Sequence, residues 1–485
     1  MLKKRRRFRS RKNIRAASAF YGERMKTAAI RCTPAAQDIQ AKSRPESRPV
    51  GRYSKPVLLL LLSGIAPLAQ SAPGDTQLVS VSTITNKAAG YSSNALSTSV
   101  SYGGRYVAFE SNAKNLIPGP SSQYRDIYVR DRNTSSTERV SVALNGAQTN
   151  GDSLGPSISA DGRYVAFASN ASNLAPDSDP GRFGWDIFVR DRLTGQTELI
   201  SVNSSGYQAN QESQSASISS DGRYVVFSSY ATNLAPGIDN GWPNVFVHDR
   251  QTGLTEWVSV GLNGAQPNSS CAEGAGPRTI SADGRYVTFW SDASNLVPRD
   301  TNGVGDVFVR DRQMKKTTRV NVRSDGRQAN GQSGDPALSA DGRFVLFQSD
   351  ATNLAPGDTN GVGDIFVRDL QTGQTERVNV DSVIAQSSFG AQRPAMSADA
   401  RYIAFDAQGT GGRYNVYAVD RQTGATVQVS VSSRGVAGND QSYTSGISAN
   451  GRWVVFSSLA TNLVPNDHNR GGAPAAADVY VHKLQ

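Results

Sequence analysis

Cysteine, histidine and methionine are scarce: the chain of 485 residues has two Cys, three His and four Met. That supply is too thin for the Cys- and His-rich centres that hold zinc, haem or iron–sulfur clusters. Cys32 falls in a basic N-terminal stretch, which leaves Cys271 alone in the remainder and excludes an internal disulfide there. Charged residues make up only 19% of the chain, too few for a disordered polyelectrolyte. No phosphate-binding Gly-Lys loop occurs, so a common signature of nucleotide enzymes is missing.

Long apolar runs are missing too. The longest, residues 57–69, spans 13 residues against the roughly 20 of a membrane-crossing helix. It follows 17 Lys and Arg and three acids in residues 1–56. It ends at Ala69-Gln70-Ser71, with small residues at the two positions a signal peptidase reads. Residues 1–71 are therefore expected to be a basic leader and signal peptide, removed before Ala72. Residues 72–485 are then the folded part, periplasmic or secreted, monomeric and without a membrane span. The overall charge of +10 is misleading, because residues 1–56 carry +14 and the rest −4. A mildly acidic body lacks the basic surface that phosphate backbones require, which argues against nucleic acid as its partner.

What the sequence has in quantity is glycine, 46 residues, and repetition. A Ser-x-Asp-Gly-Arg-Tyr-Val-x-Phe motif starts at Ser159, Ser219, Ser281 and Ser339, with variants at Ser101, Ser397 and Ser448. Asp-Ile-Phe-Val-Arg-Asp or a near variant starts at Asp126, Asp186, Asn244, Asp306, Asp364, Asn415 and Asp478. Thr-Glu-x-Val-Ser-Val follows at six places, from Thr137 to Thr426. Each is a short β-branched and aromatic strand between tight turns, and a Ser-x-Ile-Ser stretch before each Asp-Gly adds a fourth. Four strands, a to d, recurring about every 58 residues without helical periodicity, predict propeller blades. Strands b and c occur seven times but strand d only six, and the missing one is Thr76-Gln77-Leu78-Val79-Ser80-Val81. The fold class is therefore all-β: a seven-bladed β-propeller of four-stranded blades, its ring closed by the N-terminal strand completing the last blade. Closure removes the edges that an open stack would expose.

The Ser-x-Asp-Gly-Arg-Tyr-Val turn and strand, followed by Asp-Ile-Phe-Val-Arg-Asp and a glycine turn, resembles the TolB-type (WD-like) β-propeller repeat. The resemblance covers residues 76–485 in all seven repeats and implies the propeller fold. The sequence carries Ala, Ser or Tyr where that family prefers Pro, and no TolB N-terminal α/β domain precedes the repeats.

A residue present in every blade serves every blade, so the Asp-Gly turns, the Arg after them and the strand-c Asp read as structural. His248 and His482 take the slot of Arg130 and Arg190 and are expected on the surface. Short a–b and c–d turns share one face of the disc. The long b–c and d–a connections share the other, where binding concentrates. On that side of blades 2–4 the aromatic residues Phe183, Trp185, Tyr207, Tyr230, Trp242 and Trp290 gather, and Cys271 falls in an enlarged d–a loop. Aromatic anchors of this kind suit protein or carbohydrate contacts. Two b–c loops share an Asp-x-Asn-Gly-x-x-Asp spacing: Asp300, Asn302 and Asp306, and Asp358, Asn360 and Asp364. Hard oxygen ligands with Gly for a sharp turn suit Ca²⁺, the one cofactor these residues suggest. An Asx turn leading into strand c is the competing reading.

No catalytic set emerges. The chain reads as an exported binding or scaffold module that recognises a protein partner through the loop face. The alternatives are a carbohydrate-active lyase or glycosidase on a propeller, and a structural or sensory envelope component. A central cluster of carboxylates, His or Arg drawn from several blades would mark the enzyme.

Overall fold

The computed structural model describes residues 74–83, 98–119, 122–176, 184–272, 278–358, 361–379, 390–409, 412–465, 467 and 477–484. The leader, the cleavage position before Ala72, Phe183 and Asn360 lie outside the described residues. Seven four-stranded antiparallel sheets form the molecule, six of them in simple meander order. Blade 1 shows the plan: strand a Thr98–Val100, b Tyr106–Ser111, c Asp126–Asp131 and d Ser136–Arg139. Blades 2 to 6 occupy residues 153–199, 213–257, 271–319, 333–377 and 391–428. Blade 7 takes strands a to c from residues 442–483 and its fourth from Thr76–Leu78. The pairing is Thr76 with His482, Gln77 with Val481 and Leu78 with Tyr480, so the closure expected from the strand count is present.

The Asp-Gly turn shows why these residues recur. Ser159 Oγ donates to Asp161 Oδ1 at 2.6 Å, and Asp161 Oδ1 accepts the Arg163 N–H at 2.9 Å. Gly162 has φ of 77°, and a Cβ there would fall inside the ring of Tyr106 in the preceding blade. The position needs both the left-handed conformation and the missing side chain. Beyond the turn, the Arg of strand b's start grips the last Asp of strand c in six blades, as in Arg163–Asp191 at 2.7 Å. These guanidinium contacts hold Asp131 and Asp249 down at about 2.

The apolar core lies between blades. Seven buried clusters each join one blade to the next, for example Ala108, Ile127 and Val129 of blade 1 with Val165 and Phe167 of blade 2. The cluster that joins blade 7 to blade 1 contains Val79 beside Val107, Phe109 and Val479. Around the channel, the a–b turns are stitched by backbone bonds: Tyr102 N–H to Ala160, Ala160 to Ser220, Ala340 to Ala398 and Ala398 to Ala449. Asn450 N–H donates to Tyr102 at 3.2 Å and carries this stitching across the join.

Two expectations need correction. His248 and His482 are buried, not on the surface, each bonding a strand-d threonine: Thr255 at 2.9 Å and Thr76 at 2.7 Å. Burial pulls both imidazoles down to about 4. Cys271 is the first residue of strand a in blade 4 rather than a loop residue; it is fully buried, with its thiol pushed up to about 12. Among the described residues no helix is long and apolar enough to cross a membrane.

Candidate functional site

The long loops form a rigid surface because they are zipped together by asparagines. Between blades 1 and 2, Ser172 N–H donates to Asn150 Oδ1 at 2.9 Å, Asn150 Nδ2 returns to Ser172 Oγ, and Asn173 Nδ2 donates to the Gln148 carbonyl. The same clasp recurs at Asn210–Asn233, Asn268–Asn295, Asn330–Asn353 and Asn439–Asn462. Apart from Asn439, the asparagines belong to Ser-x-Ala-(Ser/Thr)-Asn-Leu stretches that recur in the b–c loops and Gly-x-Gln-x-Asn stretches that recur in the d–a loops, and they act as turns and clamps.

On this surface the sequence-selected aromatics divide. Tyr207 is 71% exposed at the tip of a d–a hairpin, and Trp242 is 46% exposed in the b–c loop of blade 3. Trp185 and Trp290 instead pack against the cores between blades 2 and 3 and between blades 4 and 5. Tyr230 is half-buried. Among the described residues no two of these rings stack on one another.

The acidic loops of blades 4 and 5 each enclose an arginine from the adjoining strand d. Arg319 lies 3.1 Å from Asp306 and 3.5 Å from Asp300; Arg377 lies 3.1 Å from Asp364 and 3.8 Å from Asp358. Asp306 also accepts from Asn302 at 2.9 Å, Asn321 at 2.6 Å and Gln328 at 3.2 Å. A buried guanidinium thus supplies the positive charge between the two carboxylates. Among the described residues no group of three or more His, Cys, Asp or Glu is arranged to hold a metal ion.

A second constellation was not singled out from the sequence. Arg393 of blade 6 makes a two-pronged contact with Asp406, 3.1 Å on each oxygen, and its guanidinium lies 4.6 Å over the ring of Tyr443 from blade 7. Asp406 is fully buried and also accepts the Thr444 N–H at 3.1 Å; burial still lifts its carboxyl to about 6. Asp335 of blade 5 feels the Arg393 charge, and burial raises its carboxyl as well. Tyr414 adds a ring 6.0 Å from Tyr443, and Gln392 Nε2 donates to the Tyr414 hydroxyl at 3.3 Å. The signal that could have found this cluster is departure from the repeat, since these positions carry Gly155, Ser215 and Ala168 in other blades.

Nearer the short-turn face the channel narrows to about 40 Å³, room for a few waters. Arg278 reaches into it from blade 4 and donates to the carbonyls of Met396 at 3.1 Å and Ile447 at 3.2 Å, tying blade 4 to blades 6 and 7. Burial lowers its guanidinium to about 10.

No family model matches the chain, and no curated protein matches it in sequence. Among solved structures it is similar to an oligogalacturonate lyase from Vibrio parahaemolyticus, with 13% identity, a TM-score of 0.50, and coverage of 85% of this chain and 97% of that one. The β-propeller domain of the trilobed protease from Pyrococcus furiosus matches at 11% identity and TM-score 0.48, covering 81% and 95%. TolB from Acinetobacter baumannii matches at 15% identity and TM-score 0.37, covering 79% and 81%. At these identities the likeness to known structures is one of fold alone.

Proposed function

We propose that this chain is an exported binding module that recognises a protein partner through the loop face of blades 2 and 3. The observation that carries the reading is the exposure of Tyr207 and Trp242 on loops held stiff by the asparagine clasps. Large rings displayed on a rigid scaffold lose little side-chain freedom on contact and dominate interface energies. Affinity capture from an envelope extract tests it. Wild-type protein should retain a partner that a Tyr207→Ala/Trp242→Ala variant of unchanged melting temperature loses. Equal capture by both would overturn the reading. Export itself is checked by the mass of the mature protein, whose N-terminus should lie near Ala72.

A carbohydrate-active enzyme is the second reading, favoured by the acid–arginine cluster of Arg393 and Asp406. General acid–base chemistry needs a carboxylate free to exchange a proton with substrate. Both Asp406 oxygens are engaged by Arg393, which supports binding over catalysis. Turnover of a polysaccharide panel, abolished by Asp335→Asn, would reverse that preference.

A further inference from the structure

Seven repeats let each position be compared with itself. Three residues before the serine of the a–b turn, the blades carry Thr98, Pro156, Ala216, Arg278, Pro336, Pro394 and Ser445. Arg278 of blade 4 is the charged member of that series. Its guanidinium crosses the central channel to the carbonyls of Met396 in blade 6, at 3.1 Å, and Ile447 in blade 7, at 3.2 Å. One hydrogen on each terminal nitrogen is spent there. The Nε–H and the other terminal hydrogens have no acceptor among the described residues, and no carboxylate forms an ion pair with them. The acid whose charge Arg278 feels is Asp399, on the blade 6 turn, where Ser397 Oγ and the Arg401 N–H already hold it. Asp335 is coupled to Arg393 instead.

A cation in a confined space calls for a counter-charge, and carbonyl dipoles supply none. Arg278 stands in the wall of the 40 Å³ cavity near the short-turn face, a wall otherwise chiefly aliphatic, with Ile158, Ile218, Leu338 and Ile447. Tyr102 lines the same cavity and is 55% exposed, so the space reaches the surface at the turn of blade 1. Room for about three waters suits a ligand of three or four heavy atoms. Phosphate and sulfate are bulkier and strongly hydrated, and an aliphatic wall offers their remaining oxygens no donors. A planar carboxylate takes paired N–H bonds from one guanidinium and turns only a hydrogen or a methyl group toward the isoleucines.

We propose that this channel cavity is a binding site for a small monocarboxylate, of the size of formate or acetate, whose carboxylate pairs with Arg278. The site lies toward the short-turn face, away from the loop surface of blades 2 and 3, and neither reading depends on the other.

The test is titration of the full chain, followed by calorimetry and saturation-transfer NMR, with acetate, its neutral isostere acetamide, phosphate and the bulky carboxylate pivalate. Saturable binding of acetate, with the other three weaker by about tenfold or more, is the expected result. An arginine on the open surface would take pivalate as readily as acetate, so exclusion of pivalate places the site in the cavity. Arg278→Lys keeps the charge, loses the fork and should weaken acetate by about tenfold. The pattern across the four probes decides the matter on the wild-type chain even where that variant folds poorly. Tyr207→Ala/Trp242→Ala should leave acetate binding intact, so failure here and failure of the loop-face reading are distinguishable. Acetyl-glycine binding tighter than acetate would trace the carboxylate to the end of a partner's chain, and weaker binding to a free acid. Acetamide, pivalate or phosphate binding as well as acetate, unaltered affinity in Arg278→Lys, or no saturation at tens of millimolar acetate would overturn the proposal.

Discussion

Arg132 in blade 1 donates from Nε and Nη2 to the side-chain oxygen of Gln77, at 3.1 and 2.9 Å, across the point where the ring closes. The same joint elsewhere is an ion pair: Arg192 with Glu138, Arg250 with Glu198, Arg312 with Glu256 and Arg421 with Glu376. Where the arginine is replaced by Leu370 or Leu484, the facing residue is Thr318 or Val427. The two positions change together, and the N-terminal strand obeys the rule that governs every other fourth strand.

Gln77→Glu should therefore convert the closing joint into the ion pair of its neighbours and raise stability by roughly 0.5 kcal/mol, a surface-pair value. Arg132→Ala should lower it by about 1–2 kcal/mol, since its stacking 3.7 Å over Trp453 is lost as well. Denaturant melts of both variants check the signs. A null result for Arg132→Ala would mean that closure rests on the backbone pairing and the buried contacts of Thr76, Val79 and Ser80.

Arg319→Met should leave Asp300 and Asp306 facing each other in a buried site and cost on the order of 3 kcal/mol, as removal of one buried partner does. Millimolar Ca²⁺ is expected to restore part of that loss in the variant and to leave the wild-type melting temperature unchanged. A wild-type shift with Ca²⁺ would show that these loops take the ion beside the guanidinium.

Asp478 opens strand c of blade 7, where burial lifts its carboxyl to about 7 despite a 2.6 Å bond from Ser80. The folded state favours the protonated acid, so this contribution is complete below the ordinary carboxylate range and is lost as pH climbs through about 7. Asp478→Asn should make the protein more stable at pH 8, by on the order of 1 kcal/mol, and change little at pH 4. Blades 3 and 6 already place Asn244 and Asn415 in this position, so the slot accepts the amide. Melting curves across that range test the sign.

Ala400 occupies in blade 6 the turn position held by glycine in the other blades, and it is buried at φ of 59°. A side chain in the left-handed region costs about 1 kcal/mol. Ala400→Gly should raise the denaturation midpoint by a corresponding amount; a lowered midpoint would mean that the methyl group's packing outweighs its strain.

The sequence made the blades legible because turn chemistry and strand period repeat seven times, and counting strands located the closing partner of residues 478–483. Chemistry that joins side chains from different strands was harder to read. The carboxylates of Asp300 and Asp306 suggested a cation, but Arg319 comes from another strand and its approach depends on register. His248 and His482 looked like surface exchanges because their partners, Thr255 and Thr76, belong to a different motif. Asp335, Arg393 and Asp406 carry no motif at all, and their meaning lies in differing from Gly155, Ser215 and Ala168.

Thr76 and His482 meet although 406 residues separate them. During synthesis the opening strand emerges first and must wait for nearly the whole polypeptide before its berth exists. Every blade depends on its neighbours for core, so early segments have little to settle on, and the closing contact carries the largest loop entropy in the chain. Such a molecule stays threadable until its last strand is made, and then locks in a single late event.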